Sequence, residues 1–106
     1  MIARIWRATA TTEGAEAYRR HFTQAVIPEL SGIEGHRGAY LLNRDRDGQV
    51  EIEVITLWAS MDAVRDFAAP DVDAAVVEPE AQKVLTAFDP TVTHHTVITE
   101  TATTTP

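Results

Sequence analysis

The sequence contains no cysteine. That single absence removes a disulfide framework, a thiolate nucleophile and a Cys-ligated zinc together. Long apolar runs are also missing: no stretch approaches the roughly 20 residues that a membrane-spanning helix requires. The opening segment, Met1 to Ala10, lacks the apolar block of a signal peptide, so a cytoplasmic location is expected, with no membrane partner. Positive charge is scarce, with 9 Lys and Arg against 16 Asp and Glu and a net charge of −7. Nucleic acid and anionic membrane surfaces are therefore not expected as partners. No Gly-rich phosphate loop, dinucleotide fingerprint or nucleophile elbow is present either.

What is present suits one small globular domain. The chain has 106 residues, 44% of them hydrophobic and 24% charged, which leaves room for a single core. Residues 1–99 read as that domain, and residues 100–106 as a Thr-rich disordered tail. The organising stretch is 36–58. Two β-rich runs, His36–Asn43 and Val50–Trp58, flank a polar linker ending in Asp47-Gly48, a strong hairpin signal. A two-residue turn and a three-residue loop with a bulge both fit, and they differ in whether Tyr40 shares a face with Val54 or with Ile55.

Around the hairpin, residues 2–9 read as a strand, with Ile2, Arg4 and Trp6 on one face and Ala3, Ile5 and Arg7 on the other. Thr11 and Thr12 are candidate N-caps for a helix whose apolar positions recur at Ala15, Tyr18, Phe22, Ala25 and Val26. Pro28 should end or kink it. Ser60 caps a second helix through Met61, Val64, Phe67 and Ala68. Residues 71–77 read as a further helical turn or two, Pro79 as the start of a last short helix carrying Val84 and Leu85, and Thr91–Ile98 as a fourth strand. The order β-α-β-β-α-β predicts an α+β, ferredoxin-like sandwich, a four-stranded antiparallel sheet with its helices on one face. Both parities of the strands carry apolar residues, so the uncovered face should pack against a second copy as a homodimer.

With these elements placed, the chain resembles the antibiotic biosynthesis monooxygenase family of dimeric α/β barrels. The resemblance rests on the opening Met1-Ile2-Ala3-Arg4-Ile5-Trp6 and on Gly35-His36-Arg37-Gly38. It rests also on the Leu57-to-Ala63 junction, Pro79-Glu80, and the run from Asp89 to His94. It covers nearly all of residues 1–98 and implies a cofactor-free oxygenase acting with O2 on a small electron-rich aromatic. The family's haem-degrading branch uses an Asn on the first strand and a Trp and a His after the third. The nearest positions here hold Trp6 or Arg7, Phe67 and Val77, so haem degradation is not expected.

The candidate chemistry follows from residue type. His94 and His95, adjacent on a strand, point to opposite faces and cannot chelate one metal. His94 shares a parity with Val92 and is the preferred inward residue, and His36 opens a strand at a pocket mouth. Either can serve as a general base, or simply pack in the sheet. Arg4 and Arg7 can stabilise a phenolate or enolate, or form salt bridges to Glu51 or Glu53. Trp6, Tyr40, Trp58 and Phe67 offer walls for a planar ring, and Trp58 equally suits the core. His21 reads as a boundary residue. The acidic group Asp71, Asp73, Glu78 and Glu80 reads as a solvated face without calcium-loop spacing. No metal site and no organic cofactor are expected. The resemblance implies a monooxygenase acting on a phenol, anthrone or hydroquinone, and these residues could fill its base, oxyanion and ring-positioning roles. A non-catalytic small-molecule binder, or a non-oxidative isomerase or cyclase on the same fold, are the alternatives.

Overall fold

The computed structural model describes residues 1–101, so most of the expected tail, residues 102–106, lies outside the described residues. The elements are β1 (Ile2–Ala10), α1 (Thr12–His21), a π-helical stretch (Phe22–Val26), α2 (Ile27–Ser31), β2 (His36–Arg46) and β3 (Gln49–Trp58). There follow α3 (Met61–Ala68), α4 (Pro79–Gln82), β4 (Ala87–Phe88) and β5 (Thr93–Thr96). The sheet is antiparallel in the order β2-β3-β1-β4, with β5 also paired to β1. This is the expected α+β, ferredoxin-like arrangement.

The hairpin resolves to the two-residue turn. β2 runs on to Arg46, which pairs with Gln49, so the polar residues 44–46 belong to the strand rather than to a linker. Asp47 and Gly48 both adopt positive φ, 52° and 81°, the geometry whose twist matches the flanking strands. Tyr40 consequently pairs with Ile55 and Leu41 with Val54. A register shift between His36 and Gly38 inserts Arg37 as an extra residue. That bulge changes the alternation, so His36 and Ala39, of opposite parity, both lie on the side of Trp58 and Thr56.

Helix caps form where the sequence places them. The Thr11 hydroxyl accepts from the Gly14 N–H at 3.0 Å, and the Ser60 hydroxyl from the Ala63 N–H at 3.3 Å. Pro28 does not end the first helical segment. The chain widens over Phe22–Val26, where the Ile27 N–H reaches the Phe22 carbonyl, and helical structure continues to Ser31. The wide turns stand where the proline's missing donor and ring would break a regular α-helix.

Two expectations are corrected downstream of α3. Residues 71–77 form no helix, because their polar backbone groups pair with residues distant in sequence. The Ala75 N–H donates to Pro90 O and the Val92 N–H to Asp73 O, each at 2.9 Å. α4 ends at Gln82, before Val84 and Leu85, which pack against the core from the following segment. The fourth strand position is split. β4 pairs with the Ala8–Thr9 end of β1 and β5 with the Ile2–Ile5 end, on either side of Pro90, which has no N–H to give to a ladder.

The core lies between the sheet and the helices. Even-numbered residues of β1 and β3 point inward: Trp6, Ala8, Ala10, Val50, Ile52 and Val54 pack with Ala15, Tyr18 and Phe22. A second cluster gathers Leu30, Ala63 and Val64 round Trp58, which is 0% exposed. Gly35 makes this second cluster possible. Its φ is +90°, and a Cβ there would stand 2.5 Å from that of Ala63.

Candidate functional site

The inner face carries one buried cation. Arg4 is 5% exposed at the centre of β1, where parity turns it under the helices. Its Nη1 donates to Val72 O at 2.6 Å and its Nη2 to Ala74 O at 2.8 Å. Nη1 also lies 3.0 Å from His94 Nε2, across the β1–β5 ladder that pairs the two residues. Because guanidinium nitrogens only donate, His94 Nε2 must be the unprotonated acceptor and its proton sits on Nδ1. That nitrogen lies 3.6 Å from Asp73 Oδ1. Burial, and then the Arg4 charge, hold His94 below the ordinary imidazole range, against the opposing pull of Asp73. Burial also lowers Arg4. Its direct partners are therefore neutral, and among the described residues no carboxylate forms a salt bridge to it.

Above Arg4 opens a cavity of about 90 Å³. Trp6, Tyr18, Phe22 and Phe67 supply aromatic walls, and Val26, Val54, Val77 and Val92 aliphatic ones. Trp6 is fixed by its Nε1–H, which donates to Asp89 O at 2.8 Å, and by the Tyr18 ring 5.9 Å away. Phe67 stacks on Trp58 at 5.0 Å and receives the Arg4 guanidinium 5.7 Å from its centroid. Thr56, also lining the cavity, accepts the Trp58 Nε1–H at 2.9 Å. The remaining polar lining residues are His21, Glu29 and Glu78. His21 Nε2 is 4.0 Å from Glu78 Oε2. Interaction with the Glu78 carboxyl, ahead of burial, raises the Glu29 carboxyl from its ordinary value. Tyr18 is pushed up by burial and by the charge of Glu78.

The residues singled out from sequence divide by face. Arg4, Trp6 and Phe67 line the cavity together, and His94 braces Arg4 from the neighbouring strand. Trp58 lies one layer behind, covered by Phe67, and His36 packs edge-on against Trp58 at 5.3 Å. Burial lowers His36 from the usual imidazole value, and its Nδ1 is buried without a hydrogen-bond partner. Arg7 and Tyr40 fall on the opposite face. Arg7 pairs with Glu53 at 2.8 Å, and Tyr40 is 58% exposed. His95 is exposed there too, against Thr93.

From sequence His21 reads as a boundary residue and Glu78 as part of a solvated face, with no role for Glu29, whereas the fold brings all three to the cavity wall. A signal existed for the first: His21 lies three residues after Tyr18, on the helix face that Phe22 and Val26 continue. The two glutamates come from segments 49 positions apart, and only tertiary folding joins them. Among the described residues, no three His, Asp or Glu side chains gather as metal ligands. No helix there is long and apolar enough to cross a membrane.

Comparison with known proteins adds the following. The family model for antibiotic biosynthesis monooxygenase matches residues 1–79. No curated protein matches the chain in sequence. Among solved structures, a Bacillus cereus protein named after antibiotic biosynthesis monooxygenase superposes with a TM-score of 0.65 at 17% identity, over 96% of this chain and 97% of the other. Rv0793 from Mycobacterium tuberculosis superposes with a TM-score of 0.60 at 19% identity, over 95% and 98%. At these identities the superpositions speak for the fold.

Proposed function

The chain belongs to the antibiotic biosynthesis monooxygenase family, and on that premise we propose that it is a monooxygenase that works without an organic cofactor. Its substrate is an electron-rich aromatic of the phenol, anthrone or hydroquinone type, bound at the cavity of the inner face, which opens beyond its resting volume of about 90 Å³ to take a whole ring. The observation that carries this reading is a buried guanidinium, unneutralised by any direct carboxylate, at the floor of an aromatic-walled cavity. Such a site suits a planar ring bearing an oxygen that becomes negatively charged.

The chemistry balances without an external reductant. Proton removal from an anthrone methylene gives an enolate whose oxygen meets Arg4. One electron passes to O2, and the resulting radicals combine to a carbon-bound peroxide anion, which takes up a proton. Loss of water then leaves a carbonyl, so that CH2 and O2 become C=O and H2O. Arg4 stabilises the anion through the N–H groups not engaged by Val72, Ala74 and His94. His94 acts as a positioning residue, holding the guanidinium by its lone pair. Trp6 and Phe67 orient the ring and keep water away from the enolate.

We read the outer face as the homodimer contact. Tyr40 and Leu42, 58% and 44% exposed, stand beside half-buried Ile5, Ile55 and Leu57, and a second copy would cover them.

Oxygen consumption tests the reading. Chelator-treated protein is supplied with anthrone, 1-naphthol and hydroquinone, and uptake is compared with autoxidation of each alone. Uptake above background with at least one supports an oxygenase. Tight binding of these compounds without uptake favours a carrier instead, a reading that gains from His94 Nε2 being occupied by Arg4. Product formation under nitrogen would identify an isomerase or cyclase.

A further inference from the structure

The groups that line the cavity narrow the choice of proton acceptor. His94 presents its only lone pair to Arg4, and His36 lies behind Trp58. Neither meets a ligand in the cavity with a free acceptor nitrogen. Tyr18, 5% exposed, is held protonated by burial and by the charge of Glu78. The Thr56 hydroxyl is a very weak base, and Arg4 carries no lone pair. What remains is the wall at the mouth: His21, at the end of α1, with Glu29 on α2 and Glu78 just before α4.

We propose that His21 is the proton acceptor of this site and that Glu78, 4.0 Å from its Nε2, stabilises the imidazolium that forms. The inference rests on the cavity being the substrate site. A neutral imidazole always has one acceptor nitrogen, and proton transfer is the imidazole side chain's commonest catalytic role. The His21 side chain is only 13% exposed, so a proton delivered there is partly shielded from bulk water. Glu29 lines the same wall beside Glu78, so the mouth presents carboxylates to the imidazolium. The site is then bipolar: Arg4 meets the developing oxyanion at the floor, and His21 with Glu78 takes the proton at the mouth. In the step itself the ligand O–H or C–H bond breaks, its electron pair stays on the ligand as phenolate or enolate, and the proton becomes the second N–H of His21.

Ionisation of a bound probe tests this without turnover. 7-Hydroxycoumarin absorbs at different wavelengths as phenol and phenolate, and is titrated with wild type, His21→Gln and Glu78→Gln near pH 7. The wild type should raise the phenolate fraction of bound probe at least fivefold over free probe. His21→Gln should lower it at least threefold, to the residual ionisation that Arg4 alone sustains, with affinity within about twofold, and Glu78→Gln should fall between. Where oxygen uptake is measurable, the acid limb of kcat/KM against pH should flatten in His21→Gln, and added imidazole should restore rate to His21→Gly. Both glutamine variants should melt within a few degrees of wild type, which separates loss of the base from loss of the fold. Bound probe with the same phenolate fraction in His21→Gln as in wild type would overturn the proposal. Retained ionisation without oxygen uptake would instead overturn the oxygenase reading and leave His21 as the acceptor.

Discussion

Replacing Arg4 with Met tests the bracing of the site through stability. The methionine fills much of the same space with an adaptable apolar chain, while two carbonyls, those of Val72 and Ala74, lose their charged donor. Hydrogen bonds from a charged group contribute about 1.5–3 kcal/mol each, so the gross loss is about 3–6 kcal/mol. Part of that returns, because burial works against the charged guanidinium, as its lowered pKa shows. A net loss of about 2–4 kcal/mol remains. With a urea m-value of about 1.5 kcal/mol/M for a domain of this size, the unfolding midpoint should fall by about 1.3–2.7 M. The loss should also be local. The amides of Ala75 and Val92, which tie residues 73–75 to 90–92, should exchange faster than those of the β1–β3 ladder under native conditions. A midpoint within about 0.5 M of wild type, with Ala75 and Val92 protected as before, would show that Arg4 does not hold this segment.

The acid side of the stability curve carries a second expectation. His94 and His36 both bind a proton less readily folded than unfolded. Their contribution is therefore complete above the ordinary imidazole pKa and is lost as pH falls through it toward the lowered folded values. Urea midpoints should decline from about pH 7.5 to about pH 5.5 and decline less in His94→Gln, whereas a rise on acidification would contradict the assignment. Trp58→Phe keeps an aromatic against Phe67 but removes the indole from a fully buried site and leaves the Thr56 hydroxyl without its donor. It should lose about 1.5–3 kcal/mol by urea denaturation. On the outer face, Tyr40→Arg with Leu42→Arg should convert a dimer to monomer in sedimentation equilibrium while leaving the circular dichroism spectrum unchanged. A wild type already monomeric at 100 times working concentration would remove the dimer proposal.

The elements legible in the sequence were those decided by neighbouring residues. The Asp47-Gly48 turn, the Thr11 and Ser60 caps and the β-branched runs each declare themselves within a few positions. Alternation alone sends His94 and His95 to opposite faces, where the structure has them. The rest depends on partners far away in the chain. Whether Arg4 or Arg7 is buried is decided by which sheet face the helices cover, and no local signal carries that. Arg37 shifts the alternation by one residue, so the phase of His36 could not be counted back from the hairpin. Residues 71–77 look helical because Val72, Ala75 and Val76 fall at helical spacing. Their carbonyls and amides are instead claimed by Arg4 and by residues 90–92. His21 and Glu78 meet only because the segment before α4 returns across the end of α1.

The most direct test compares oxygen uptake by wild type and by Val54→Phe with anthrone as substrate. Val54 lines the cavity between Trp6 and Thr56, and a phenyl ring there would occupy the space assigned to the substrate ring. Wild type should consume oxygen above the autoxidation rate. Val54→Phe should fall to that rate while melting within about 5 °C of wild type, since it fills existing space rather than opening a void. Equal uptake by the two proteins would place the chemistry outside this cavity.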